Sequence, residues 1–339
     1  MAYTTIDNPE LYFQAKIYTA NGSSNAITFD GETDMAPSLT WIKKRSSTSA
    51  HYFFDSVRGT NSLSSNTTND QSDQLGEGFT SLDSDGFTLS GTGGGGGVND
   101  GTNTFASWNW KESATAGFDL LTFEGNTTAR TISHSLSAVP ELMIIKGYDS
   151  DSTYWALYHG ANTSAPETDQ LYLNATNATA DNATFWNDTL PTSSVFSVGT
   201  SGHSNPNGDS TMAYLWASKQ GFSKFGSYTG NGNADGTFIY TGFRPAMIII
   251  KNTYSGQAWN IWDNKRNPFN LTQKNLQPNV IAAENDGSAP ASQVLDMLSN
   301  GFKIRSNENE NNQSGRSHIY MAFAEAPLVN SNGVPCNAR

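Results

Sequence analysis

The chain has 339 residues, a formal charge of −12, 15% charged residues and one cysteine. That length asks for two or three domains rather than one ordinary core. The negative field repels phosphate backbones, so nucleic acid is not an expected partner, and a lone Cys336 leaves no internal disulfide to fold around.

The first fourteen residues, MAYTTIDNPELYFQ, have no counterpart further along. They predict an anchoring arm, residues 1–15, with Tyr12 and Phe13 as its assembly contacts. Such an arm adds a strand to a neighbouring subunit or docks on a larger particle; the plain alternatives are a frayed terminus or a strand on its own first module. Then a series of landmarks begins: IYTANG (17–22), PSLTWIK (37–43), HYFFD (51–55), DGFTL (85–89) and WNW (108–110). It runs again as TFEGN (122–126), PELMIIK (140–146), WALYH (155–159), SVFSV (194–198) and YLWA (214–217). A third series is YTGNG (228–232), PAMIIIK (245–251), WNIWD (259–263), NGFKI (300–304) and YMAFA (320–324). Pro37, Pro140 and Pro245 are 103 and 105 residues apart, and each is followed six residues later by Lys43, Lys146 or Lys251. Tyr18, Phe123 and Tyr228 are 105 and 105 apart. A constant long period of this kind marks a repeated unit.

Within each unit the apolar runs are four to six residues long, rich in β-branched and aromatic side chains, and punctuated by Gly, Asn, Asp or Pro. This is the pattern of strands, and no 3.6-residue period is sustained. The best helical candidate is the short ASQVLDML (291–298). Asp85-Gly86 and Asn300-Gly301 predict tight hairpins, because both pairs tolerate positive φ. The expected fold is all-β: three tandem antiparallel β-sandwich modules, jelly-roll or lectin-like, of about 105 residues each. The boundaries are 16–115, 116–221 and 222–328, followed by a tail at 329–339. In WNIWD and its counterparts, Phe54, Tyr158 and Trp262 face away from Phe53, Leu157 and Ile261. Those second aromatics are core if the strand is covered on both sides, and an exposed shelf if it is not.

The units differ in their loops. The first carries the glycine run 93–97, read as a flexible hairpin tip, and the second carries the asparagine-rich insertion 174–188. The N-x-S/T triplets follow from a composition rich in Asn, Ser and Thr rather than from glycosylation. No run of 18 apolar residues and no basic-apolar leader stands in the sequence, so neither membrane insertion nor a signal peptide is expected.

Chemistry is hard to find. The five histidines are scattered, with no H-E-x-x-H, C-x-x-C, G-x-S-x-G or phosphate-loop pattern. Asp83-Ser84-Asp85-Gly86 looks like the start of a calcium loop, but its twelfth position is Gly94, so the pattern reads as a capped turn. No cofactor, no metal and no enzyme activity are expected. A carboxylate pair for glycoside hydrolysis is defined only in three dimensions, and nothing in the sequence selects one.

Several motifs together resemble a family of marine-phage virion structural proteins, cyanophage proteins among them, that are assigned to tail fibres and built from a repeat domain. They are TTIDNPELYFQ, Y-T-G-N-G, W-I-K, F-D-S-V-R-G (54–59), S-D-G-F-T-L (84–89), Y-M-A-F-A-E (320–325) and N-S-N-G-V-P. The second unit departs most, lacking a clear S-D-G-F. The resemblance implies a virion location, in the tail rather than the head, and transfers no site residue. It leads to the expectation of a non-enzymatic tail-fibre or tail-associated host-recognition component. Its partners would be other virion proteins, further copies of itself (a trimer being one option) and a host surface glycan. The alternatives are a capsid decoration or tail-connector protein without a host ligand, and a polysaccharide depolymerase. For a glycan, Trp186 and Tyr172 are the sequence candidates, as rings on which a sugar face can stack.

Overall fold

The computed structural model describes residues 2–71, 78–91, 97–254, 256–285 and 293–336. The first third of the chain forms β1 (Phe13–Thr19), β2 (Asn25–Ile27), β3 (Leu39–Lys44), β4 (His51–Asp55), β5 (Leu63–Ser64), β6 (Phe79–Asp83), β7 (Gly86–Leu89) and β8 (Thr104–Trp110). The second forms β9 (Phe118–Glu124), β10 (Arg130–Ser133), β11 (Leu142–Gly147), β12 (Ala156–His159), β13 (Asp169–Gln170), β14 (Ala180–Asp181), β15 (Val195–Val198) and β16 (Ser210–Trp216). The last forms β17 (Ser223–Thr229), β18 (Phe238–Tyr240), β19 (Phe243–Asn252), β20 (Asn260–Asp263), β21 (Leu295–Leu298), β22 (Gly301–Ile304) and β23 (Ser317–Pro327). One helical turn, α1 (Asn309–Asn312), and short 3-10 turns complete the described residues. The protein is therefore all-β.

Three sheets share one strand order: β1-β8-β3-β4-β5, β9-β16-β11-β12 and β17-β23-β19-β20. Every pairing in them is antiparallel, and the registers agree. Leu39 faces Trp110, Leu142 faces Trp216, and Met247 faces Phe323. Each large sheet has a small companion, β2-β7-β6, β10-β15 or β18-β22-β21.

Why the central strands read as unbroken apolar runs is now clear. All residues of β3, β4, β11, β12 and β20 are buried, because each large sheet is covered on both faces. Phe54, Tyr158 and Trp262 are thus core, not shelf, at 0%, 3% and 0% exposure. One face of the first sheet meets Phe87 and Leu89 of its small sheet, and one face of the second meets Phe196 and Val198. The opposite faces of all three sheets enter a single cluster that runs from Ile6 to Ala324. At its centre Trp110 lies 6.0 Å from Trp216 and 5.4 Å from Phe323, between ring centroids. Burying each such side chain contributes about 1.5–3 kcal/mol, so this shared core is the main stabilising element of the chain.

Both predicted hairpins are present, β6–β7 and β21–β22, and the glycines are obligatory there. A Cβ on Gly86 (φ +113°) would stand 1.9 Å from the carbonyl oxygen of Ile27, and one on Gly301 would stand 2.0 Å from that of Ile239. Asp83 accepts from the Ser81 and Thr88 hydroxyls, each at 2.7 Å, as a turn cap does. Two expectations need correction. In the helical candidate, 295–298 is strand β21, because pairing with β22 buries Leu295 and Met297. The arm does not project: Asn8 caps a 3-10 turn at Pro9–Leu11, and Phe13 opens β1 opposite Trp110. The glycine run lies almost entirely outside the described residues.

Candidate functional site

The three landmark lysines are all fully buried, and each reaches a carbonyl from a different third of the chain. Lys43 Nζ donates to Ser49 O at 2.8 Å and Ile281 O at 3.2 Å. Lys146 Nζ donates to Thr153 O and Thr68 O, both at 2.9 Å, and Lys251 Nζ to Asn252 O at 2.6 Å and Thr176 O at 3.3 Å. The direction is cyclic: first to third, second to first, third to second. The indoles of Trp155, donating to Ser64 O at 3.0 Å, and Trp259, donating to Tyr172 O at 2.9 Å, repeat it. Backbone bonds join the same thirds with the donors reversed, from Glu284 N to Arg45 O, Gln71 N to Tyr148 O and Thr179 N to Thr253 O, at 2.8–2.9 Å. A head-to-tail contact that returns to its start makes a closed ring. Burial draws the lysines below their ordinary value, Lys43 to about 7 with Lys44 adding repulsion, Lys146 to about 8 and Lys251 to about 8.

A second belt of buried polar groups follows the same circle. Tyr214 donates to Asp55 Oδ2 at 2.7 Å, beside the Asp55–Arg58 ion pair at 2.5 Å. Trp108 Nε1 donates to Asp263 Oδ2 at 3.0 Å, beside the Asp263–Arg266 pair at 2.5 Å. The counterpart of these aspartates in the second unit is His159, whose Nε2 lies 3.1 Å from Tyr320 O. Burial lowers His159 and His318 to about 4, so both are neutral structural groups held by carbonyls at neutral pH. Among the described residues no three His, Cys, Asp or Glu side chains gather as a metal site, and no helix is long and apolar enough to cross a membrane.

The sequence candidates for stacking on sugar lie inside the protein. Trp186 is 1% exposed, donates its indole N–H to Asp169 O at 2.9 Å and packs on Tyr158 and Phe185. Tyr172 is 8% exposed, with its ring 4.8 Å from that of Tyr154 and 5.7 Å from that of His203, and burial pushes its hydroxyl up to about 12. The asparagine-rich insertion folds back on the second sheet, so neither ring offers a free face. Phe13 is likewise interior, 5.1 Å from both Trp110 and Phe323, and Tyr12 meets Phe222 at 6.1 Å. The residues before them wrap onto the end of the second third and onto the last third of the same chain. Thr4 donates to Gln220 O at 2.7 Å, Tyr3 donates to Gly242 O at 2.8 Å, and Asp7 accepts from Ser331 N at 2.6 Å.

That wrapping builds the surface feature the sequence did not disclose. A recess of about 440 Å³ is lined by Tyr3, Gln220, Lys224, Tyr240 and Gly242. It shares Tyr3 and Gln220 with a shallower recess beside Asn332. On the other side of the β18–β19 turn, Asn300 O accepts from the N–H groups of Thr241 and Gly242, and a recess of about 420 Å³ opens between Asn300, Arg244 and Phe269. Phe269 is 77% exposed, Tyr240 47% and Phe238 44%. The one signal available was the alternation in F-I-Y, which puts Phe238 and Tyr240 on the face opposite buried Ile239.

The family described as a domain of unknown function, DUF7483, matches residues 8–327 in one span. The chain belongs to that family. No curated protein and no solved structure matches it.

Proposed function

We propose that the chain is a non-enzymatic structural protein of a phage virion, placed in a tail fibre or tail-associated complex that meets the host surface. Its fold would be three tandem β-sandwich modules of about 105 residues, with the limits given above, closed into a ring within one polypeptide. The observation that carries this reading is the cyclic lysine clasp, made three times at matching positions. It suits a rigid, self-contained body, and the marine-phage motifs supply the particle. The partners are other virion proteins. Further copies of the chain, a trimer being one option, would add to them, and host contact rests on surface loops and on the number of copies per particle.

The test is mass-spectrometric copy number in purified particles of a phage encoding this chain. A low, fibre-like stoichiometry supports the proposal. A high, decoration-like stoichiometry transfers the protein to the capsid, and absence from the particle overturns a virion role. Halos raised on host lawns by the purified protein would instead establish a depolymerase.

A further inference from the structure

We infer that the recesses flanking the β18–β19 turn form one groove for a neutral, hydroxyl-rich oligosaccharide, with Phe269 and Tyr240 as stacking platforms. This rests on the host-recognition reading and gives it a site. Three observations converge on it.

First, Phe269 and Tyr240 hold large aromatic surface in water, with Lys224 Nζ over one side of the Tyr240 ring at 5.5 Å from its centroid. Phe269, at 77%, is the most exposed large hydrophobic side chain among the described residues. The loops that follow β4 and β12, at 56–62 and 160–168, contain no aromatic residue. The strands that match β18, NAI and RTIS, contain none either. The fold is therefore built twice without these rings, and their presence in the third copy answers to something outside it. The faces of Phe and Tyr carry negative potential and attract the polarised C–H groups of a pyranose.

Second, residues that carry donors and acceptors for hydroxyl groups line the two recesses: Asn300 and Arg244 beside Phe269, and Gln220 beside Tyr240. Opposite charges accompany one another there. Arg244 pairs with Glu325 at 2.6 Å, and Lys224, whose Nζ donates to Tyr240 O at 2.9 Å, shares its recess with Glu141. Under a net charge of −12 such a groove disfavours polyanions and suits neutral sugars.

Third, the groove is set before any ligand arrives. The Tyr3 hydroxyl bonds Gly242 O at 2.8 Å and stands 3.2 Å from the Tyr240 hydroxyl. Gly242, at φ +84°, is what admits it, since a Cβ there would lie 2.7 Å from that hydroxyl. Ordering paid in folding is not paid again in binding.

The experiment is calorimetric titration of the full chain with maltohexaose, cellohexaose and chitohexaose, and with a heparin hexasaccharide as the anionic probe. We expect at least one neutral hexasaccharide to bind and heparin not to. Phe269→Ala and Tyr240→Ala each weaken binding ten-fold or more with unchanged melting, while Tyr254→Ala, at an exposed ring away from the groove, leaves it unchanged. Gly242→Ala, which displaces Tyr3, weakens binding as well. The proposal falls if no neutral hexasaccharide binds, if heparin binds best, or if Phe269→Ala and Tyr240→Ala bind like the parent. Protein found in the particle without saccharide binding removes the groove alone. Saccharide binding by a protein absent from the particle removes the virion reading alone.

Discussion

The interior ring and the rim at the β18–β19 turn obey opposite rules. In the ring three features come in threes: a buried lysine on a neighbour's carbonyl, a backbone bond beside it, and an aromatic at the centre. At the rim nothing is repeated, and large rings face solvent. Repetition accompanies burial because a lysine of one third meets a carbonyl of another in the same way at each junction, so a change at one junction breaks a pattern the other two keep. The rim is free of that constraint, and it is where the last third of the chain carries rings that the matching strands of the other two lack.

The largest expected effect comes from Trp108→Ala. It opens a cavity in the shared core and removes the donor to buried Asp263, so a loss of about 3–5 kcal/mol or more is expected. If the ring is one cooperative body, hydrogen exchange speeds up in all three thirds; acceleration confined to 16–115 would break the comparison. Trp186→Ala should cost about 3–5 kcal/mol as well, but through the second sheet's own cluster, with saccharide titration unchanged. Altered binding would return Trp186 to the site.

Acid acts on the buried histidines of the interior. The folded values of His159 and His318, about 4, lie below the unfolded value of about 6.5, so the unfolded chain takes up more protons between them. Stability should therefore fall as pH drops from about 6.5 to about 4, by up to about 1.4 kcal/mol per pH unit for each histidine. Urea midpoints across that window check this, and His159→Gln should flatten the slope. For Lys43, held near 7 against about 10.4 unfolded, the same logic makes stability rise as pH goes from about 7 to 10. The carbonyls that receive its protons oppose the effect, so a gain of about 1–2 kcal/mol relative to Lys43→Met is expected. Equal profiles for the two proteins would show that the clasp does not titrate. The smallest effect on stability belongs to Phe269→Ala, within about 0.5 kcal/mol by thermal melting. A larger loss would make that ring structural and erase the contrast.

How far the sequence spoke differs between these regions for the same reason. The runs holding Trp41, Ile144 and Ile249 were legible as strands because short apolar stretches and a recurring P-x5-K leave their mark in one dimension. The hairpin glycines were legible because φ is a local property. Phe54, Tyr158 and Trp262 were ambiguous, since a strand does not record how many layers cover it. Trp186 was misleading: an aromatic in a polar insertion reads as exposed until the insertion is seen to fold back. The role of Tyr3 had no signal, because its partner Gly242 is 239 residues away.

By itself the amino-acid order determined the strand content, the turns and the threefold recurrence of landmarks, all of which depend on neighbours within a few positions. Only the tertiary structure decided that the sheets share one core, that the lysines close a circle, that the first residues seal their own chain, and that Phe269 and Tyr240 flank a common turn. Those outcomes depend on which surfaces meet, and contacts between distant segments are selected by the total area and hydrogen bonding of the closed form rather than by any single stretch.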